Sequence, residues 1–229
     1  MSGAPRTALV AGASGLVGRA LLAALDDDPR YLAVHALVRR PLDGAPRSRK
    51  RHDHVIDLAR PQVPPGDDVF IALGTTLKAA GSEAAFRAVD FDAVLAVAKA
   101  ARRAGAARLA VVSALGADAR SRVFYNRVKG EMEAAVAQLG YEAVLIARPS
   151  LLAGDRNALG QPGRTGERLA LAVTTPLRAL LPARVRPIDA GVVARAMVRA
   201  LAGAPAGVTI AESARLLQLG RTTDTGSAA

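Results

Sequence analysis

The chain has 229 residues, 51% hydrophobic and 22% charged, enough for one globular domain with a sizeable core. It contains no cysteine, which excludes a disulfide framework, a thiolate metal site and a cysteine nucleophile. The formal net charge of +11 calls for an anionic partner; aromatics are only 3% and the arginines are spread along the chain, so an anionic cofactor is favoured over nucleic acid.

Short apolar runs alternate with helical periodicity. TALVAG (7–12) reads as a strand, and LVGRALLAALDDD (16–28) carries Leu16, Val17, Ala20, Leu21, Ala24 and Leu25 at the helical period. LAVHALV (32–38), HVIDL (54–58) and DVFIALG (68–74) read as three further strands. A helical region centred on 90–104 follows, then a strand ARLAVVSA (107–114), a helix RVKGEMEAAVAQL (127–139) and a strand EAVLIARP (142–149). Strands this rich in Val, Leu, Ile and Ala suit a parallel sheet buried on both faces. Their alternation with helices predicts an α/β fold, a doubly wound parallel sheet of the Rossmann kind.

Beyond Pro149 the rhythm changes. GDRNALGQPGRTGE (154–167) reads as a loop, the next helical stretch is interrupted at Pro176, and RVRPIDAGVVARAMVRAL holds a short extended piece and then a helix with Asp189 as N-cap. This predicts a single domain over 1–219, with a small substrate-side cap at about 150–190 and a disordered tail at 220–229. No apolar run reaches the ~18 residues of a membrane span. The N-terminal apolar run is too short for a secretory h-region, so the expectation is a cytoplasmic protein. His35, His52 and His54 lie close in sequence but lack metal-ligand spacing, so no metal is expected.

GASGLVG places Gly12, Gly15 and Gly18 in a G-x-x-G-x-x-G spacing between a strand and a helix. That is the context a dinucleotide loop requires: a tight turn at Gly12, backbone approach to a pyrophosphate at Gly15, and close helix packing at Gly18. Ser14, Leu16 and Val17 complete the loop and the first helical turn, whose free N–H groups favour phosphate. Just over 20 residues on, where an acid would accept from a ribose 2′-hydroxyl, stand Arg39 and Arg40. Two forked cations suit a 2′-phosphate, so NADP (NADPH) is expected rather than NAD.

FYNRVKGE puts Tyr125 four residues before Lys129, one of four lysines in a chain that uses arginine almost everywhere else. Positions i and i+4 share a helix face. A compact ammonium beside a phenol favours the phenolate, which suits a tyrosine that gives a proton to a carbonyl oxygen during hydride transfer and takes it back in reverse. The same ammonium can hold a ribose hydroxyl, where a planar guanidinium would be too wide.

The segments GASGLVG, ALVRRPL, FIALGTTLKAAGSEAAFRAVD, VVSALGAD, FYNRVKGEME, ARPSLLAG and RPIDAGVVARAMV resemble the short-chain dehydrogenase/reductases over roughly residues 7–202. Within them it looks like the atypical branch containing the Tat-interactive oxidoreductase and its bacterial epimerase-like homologues. The resemblance implies that Ser113 orients a substrate carbonyl, Tyr125 is the acid/base and Lys129 binds the nicotinamide ribose. It implies Asp57 and Leu58 beside the adenine, Ala72, Leu73, Gly74 and Thr75 near the phosphates and ribose, and Arg148, Pro149, Ser150 and Leu151 beside the nicotinamide. One departure stands out: the family often has two serines after the fifth strand, and here the second is Ala114. Lys78 adds a cation that can reach a phosphate or a substrate acid. The leading expectation is an NADP-dependent oxidoreductase acting on a carbonyl or alcohol of a small organic molecule, with oligomerisation left open. The alternatives are a nucleotide-sugar epimerase or dehydratase, for which the 150–190 segment is short, and an NADP-bound regulatory or scaffold protein with little turnover, which Ala114 favours.

Overall fold

The structure is a computed structural model that describes residues 4–42, 48–153 and 186–221. Its chain order is β1 (Arg6–Ala11), α1 (Leu16–Asp26), β2 (Tyr31–Val38), β3 (Arg51–Val55), β4 (Asp68–Ile71), α2 (Leu77–Ala80) and α3 (Glu83–Arg87). A π-helical turn (Ala88–Ala93) runs into α4 (Val94–Arg103), followed by β5 (Arg108–Val112), α5 (Phe124–Ala137) and β6 (Ala143–Arg148). The last described elements are β7 (Leu152–Ala153), β8 (Ile188–Asp189), α6 (Ala190–Ala202), β9 (Gly207–Glu212) and α7 (Ser213–Gly220).

Seven strands form one parallel sheet in the order β3-β2-β1-β4-β5-β6-β9. The chain starts in the middle, winds outward through β2 and β3, then crosses back beside β1 to lay down β4. The central strands carry almost only Ala, Val, Leu, Ile and Phe because helices cover both faces. On one face Val10, Phe70 and Leu145 pack with Leu21 of α1 and Met197 of α6; on the other Leu9, Ile71 and Val111 pack with Val97 of α4 and Met132 of α5. The doubly wound Rossmann fold expected from the alternating pattern is the fold observed, and the reversal between β1 and β4 creates the crevice where such sheets bind ligands.

Several boundaries differ from the sequence expectation. β3 sits three residues earlier, because Arg51–Val55 pairs in register with Val34–Val38 of β2 and Arg51 forms an ion pair with Asp53 on the same strand. Helix α5 begins at Phe124, so Tyr125 lies in its first turn. β9 and α7 were not expected; β9 completes the far edge by pairing with β6. Asp189 caps α6 as expected, accepting from the Gly191 and Val192 amides. Of the cap expected at about 150–190, residues 154–185 lie outside the described residues; the rest includes β7 and β8, which pair with each other. Of the tail expected at 220–229, residues 222–229 lie outside them too, and Gly220 closes α7 against Val192.

Candidate functional site

A cleft of about 560 Å³ opens where β1, β2, β4 and β5 end. Its floor is the glycine loop. Gly12 has φ +81°, and a Cβ there would fall 2.5 Å from the Ala72 carbonyl oxygen, so only glycine makes this turn beside β4. The Gly15 amide donates to the Gly12 carbonyl at 2.9 Å, and Gly15 then serves as the N-cap of α1 without a side-chain cap. The first amides of α1 are thereby left for an anion, with the positive end of the helix dipole behind them. A Cβ on Gly18 would stand 2.0 Å from the Gly12 carbonyl oxygen. Gly18 therefore seats α1 on the loop and does not itself line the cleft, whereas Gly12, Ser14, Gly15, Leu16 and Val17 do.

Gly15 differs from Gly18 in kind, since a Cβ there meets only the Gly12 carbonyl oxygen, at 3.3 Å. Gly15→Val is therefore expected to fold and to show no rise in melting temperature with NADPH, because its branched side chain occupies the place where a pyrophosphate would approach the backbone. A full NADPH-induced rise in that variant would mean the phosphates bind elsewhere.

Of the arginine pair, Arg39 lines the cleft and Arg40 does not, although both are exposed. Leu58 lines it, while the Asp57 carboxylate turns back to accept from the Ala59 amide at 2.9 Å. Ala72, Leu73, Gly74 and Thr75 all line the cleft; Lys78, exposed on α2, does not. From the π turn, Asp90 reaches under this loop and accepts from the Thr75 amide at 2.8 Å.

Tyr125 and Lys129 both face the cleft from α5. The Tyr125 ring rests on buried Phe86 of α3, with centroids 5.4 Å apart. Lys129 is only 4% exposed, and its Nζ lies 2.7 Å from Asp90 Oδ1. This is an ion pair by distance, but its angle lies outside hydrogen-bond geometry, which leaves Oδ1 without a hydrogen-bond partner. Gly130, next along α5, lets the Asp118–Ala119 backbone pack directly on the helix; a Cβ there would stand 2.1 Å from the Ala119 amide nitrogen.

Ser113 borders the cleft. Its Oγ donates to Glu133 Oε1, and Arg148 clamps Glu133 at 2.9 and 2.5 Å. The Glu133 hydrogen bond holds the Arg148 guanidinium above its ordinary pKa, against the effect of burial. The hydroxyl proton of Ser113 is thus donated to a carboxylate. Arg148, Pro149, Ser150 and Leu151 do not line the cleft; Leu152 does. After β6 the Ser150 amide donates to Ser213 Oγ at 2.7 Å and Ser150 Oγ to the Arg186 carbonyl at 2.6 Å. Sequence reasoning missed Asp90 and the wall of Ala79, Ala80 and Ala85 from α2 and α3. Among the described residues no group of three His, Asp or Glu side chains is placed to hold a metal, and no helix is long and apolar enough to cross a membrane.

The strand order and the glycine turn at the sheet reversal give the chain the Rossmann fold of the epimerases and reductases that it resembles among solved structures. More narrowly, it belongs to the FMP52 family: it is 40% identical over 154 residues to the mitochondrial protein FMP52 of Eremothecium gossypii, covering 65% of this chain and 67% of that one. The FMP52 protein of Saccharomyces cerevisiae is 32% identical over 180 residues, covering 74% and 76%. No protein-family model matches the chain. Among solved structures it resembles MoeE5 in complex with UDP-glucose and NAD, at a TM-score of 0.67 and 15% identity over 93% of this chain and 80% of that one. It also resembles vestitone reductase from alfalfa, at 0.64 and 18% over 90% and 76%. The relatives overturn the cytoplasmic expectation, since the family members in both fungi carry a mitochondrial name.

Proposed function

We propose that the protein is an NADP-dependent oxidoreductase acting on a carbonyl or alcohol of a small organic substrate. The observation that carries this reading is that Tyr125 and Lys129 share one cleft with the Gly12–Gly15 turn and Arg39. The residues fit a dinucleotide: an uncapped helix start for the pyrophosphate, Arg39 for a 2′-phosphate and Leu58 for the adenine. When bound, the nicotinamide supplies or accepts the hydride. Tyr125 donates its phenolic proton to the substrate oxygen and recovers it in the reverse direction. Lys129 places a positive charge in the cleft beside it. Residues 1–219 act as one domain, with the segment at about 150–190 as its cap over the substrate.

NADPH is expected to bind more tightly than NADH, because a charge-assisted hydrogen bond from Arg39 to the 2′-phosphate contributes roughly 1.5–3 kcal/mol, about 10- to 150-fold in affinity. Calorimetric titration of both cofactors, repeated with Arg39→Ala, checks it. Equal affinities in the parent would sink the NADP assignment. Arg40→Ala is expected to matter less, since Arg40 lies outside the cleft lining.

A second reading, an NADP-bound protein with little turnover, is favoured by one observation: Ser113 gives its proton to Glu133 and so does not offer it to a substrate oxygen. Steady NADPH oxidation with members of a carbonyl panel supports the enzyme; tight NADPH binding with no oxidation across the panel supports the second reading.

A further inference from the structure

The strand order lays the cleft out from β3 to β5. Leu58 and Arg39 stand at one end, the glycine loop in the middle, and Ser113 and Tyr125 at the other. Towards Tyr125 the wall is built from small or apolar side chains: Ala79 and Ala80 of α2, Ala85 of α3, Val89 of the π turn and Leu152 of β7. Local capping fixes the first part of this wall. Thr76 Oγ1 accepts from the Ala79 amide at 3.1 Å, Gly81 turns the chain at φ +79°, and Ser82 Oγ accepts from the Ala85 amide at 3.1 Å. Phe86, next to Ala85, carries the Tyr125 ring, so the alanine wall keeps its place beside the tyrosine.

The charged and hydroxyl groups around Tyr125 already have partners. Ser113 donates to Glu133, Lys129 Nζ lies 2.7 Å from Asp90 Oδ1, and Asp90 Oδ2 accepts from the Thr75 amide. The Tyr125 hydroxyl is left to meet a substrate oxygen. A sugar ring brought here would set its hydroxyls against alanine methyls, and burying them without partners is costly. A hydrocarbon chain gains from the same burial. We propose, on the basis of the oxidoreductase reading above, that the substrate is an apolar aldehyde or ketone, one carbonyl with a hydrocarbon remainder, and that Ala80 and Ala85 set the size of that remainder. The carbonyl carbon receives the hydride of NADPH and the oxygen receives the Tyr125 proton, giving an alcohol and NADP+.

Primary amides serve as unreactive carbonyl probes. Butanamide, hexanamide and octanamide are titrated into the protein with saturating NADPH and followed by the methyl resonances of its labelled alanines, with UDP-glucose as the polar comparison. Affinity is expected to rise about three- to fourfold for each methylene that the wall covers. UDP-glucose is expected to leave the alanine signals unmoved. Ala80→Leu and Ala85→Leu are each expected to weaken octanamide by about tenfold or more and butanamide much less, because they fill space that only the longer chain needs. Ala84→Leu, exposed on the same helix and outside the cleft lining, is expected to bind all three as the parent does. Affinity that does not rise with chain length, octanamide binding untouched by both cleft leucines, or UDP-glucose binding more tightly than octanamide overturns the proposal. If neither leucine variant folds, Val89→Thr decides, since a near-isosteric hydroxyl costs octanamide affinity in an apolar wall and not in a polar one. Amide binding by a protein that oxidises no NADPH with butanal, hexanal or octanal supports the apolar ligand class and overturns the oxidoreductase reading. Turnover of polar carbonyls without amide binding does the reverse. If NADPH itself does not bind, the cofactor reading fails, and the same titrations of the cofactor-free protein still decide what the wall accepts.

Discussion

Tyr125→Phe is expected to lower NADPH-dependent carbonyl reduction by roughly 10²–10⁴-fold, the range usual for loss of a general acid–base group. The substitution removes one hydroxyl and keeps the ring that rests on Phe86, so the wall of the cleft and the cofactor affinity should stay nearly unchanged. Ser113 does not substitute for Tyr125, because its proton is already donated to Glu133. Initial rates of NADPH oxidation with any substrate found active in the carbonyl panel, beside a calorimetric NADPH titration of the same variant, make the comparison. A variant that turns over at the parental rate would remove Tyr125 from the chemistry. Lys129→Ala should behave differently, losing turnover and cofactor affinity together. Lys129→Arg should not restore them, since a planar guanidinium is wider than the buried ammonium beside Asp90.

What the sequence made legible and what it hid follow from the range of the interactions involved. The glycine loop was readable because each glycine answers a local backbone need: the left-handed turn at Gly12, the open approach at Gly15 and the 2.0 Å closeness at Gly18. Tyr125 and Lys129 were readable because a spacing of four on a helix fixes a common face without further knowledge of the fold. The central strands were readable because burial on both faces demands unbroken apolar runs. β9 was missed because much of its apolar character is exposed at the sheet edge, with Val208 and Ile210 about half accessible, and its strand character comes from pairing with β6.

The surroundings of Glu133 and Asp90 depend on partners distant in sequence. Glu133 extends the Tyr125 and Lys129 stripe by one more turn of α5, yet nothing in that spacing says that it captures Ser113, twenty residues earlier, and is clamped by Arg148 from β6. Asp90 follows a helical pattern and reads as an ordinary polar helix position; only the packing of the π turn under Thr75 shows it to be buried. Arg39 and Arg40 are indistinguishable by type. The way β2 ends decides that the first faces the cleft.

The largest loss of stability is expected at the opposite end of the sheet, from Asp68→Ala. Asp68 is fully buried at the start of β4 and accepts from Arg6 Nε and Nη2 at 2.8 and 2.6 Å, from Arg108 Nε and Nη2 at 2.8 Å each, and from the Tyr31 hydroxyl at 2.7 Å. One carboxylate thereby ties together the first residues of β1, β2, β4 and β5. Its removal leaves two cations and a buried phenol without their acceptor, a change that costs about 3–5 kcal/mol for a buried pair. Arg6 and Arg108 side chains, at 29% and 17% exposure, can partly turn to water, which favours the lower end of that range. At roughly 2–4 °C per kcal/mol in a domain of this size, the melting temperature should fall by about 6–20 °C. The pH dependence gives a second check. Burial pushes the Asp68 carboxyl up, but hydrogen bonds from Arg108, Arg6 and Tyr31 outweigh it and hold the pKa below the ordinary 3.8. Burial and the Asp68 charge raise the pKa of Tyr31, so it remains a donor throughout the acid range. A carboxyl whose folded pKa is depressed contributes stability that is complete above its unfolded value and is lost as pH falls through the folded one. The gap in melting temperature between the parent and Asp68→Asn should therefore be widest near neutrality and should narrow below 3.8. A gap that stays constant into acid would mean that shape, rather than charge, holds these four strands together at Asp68.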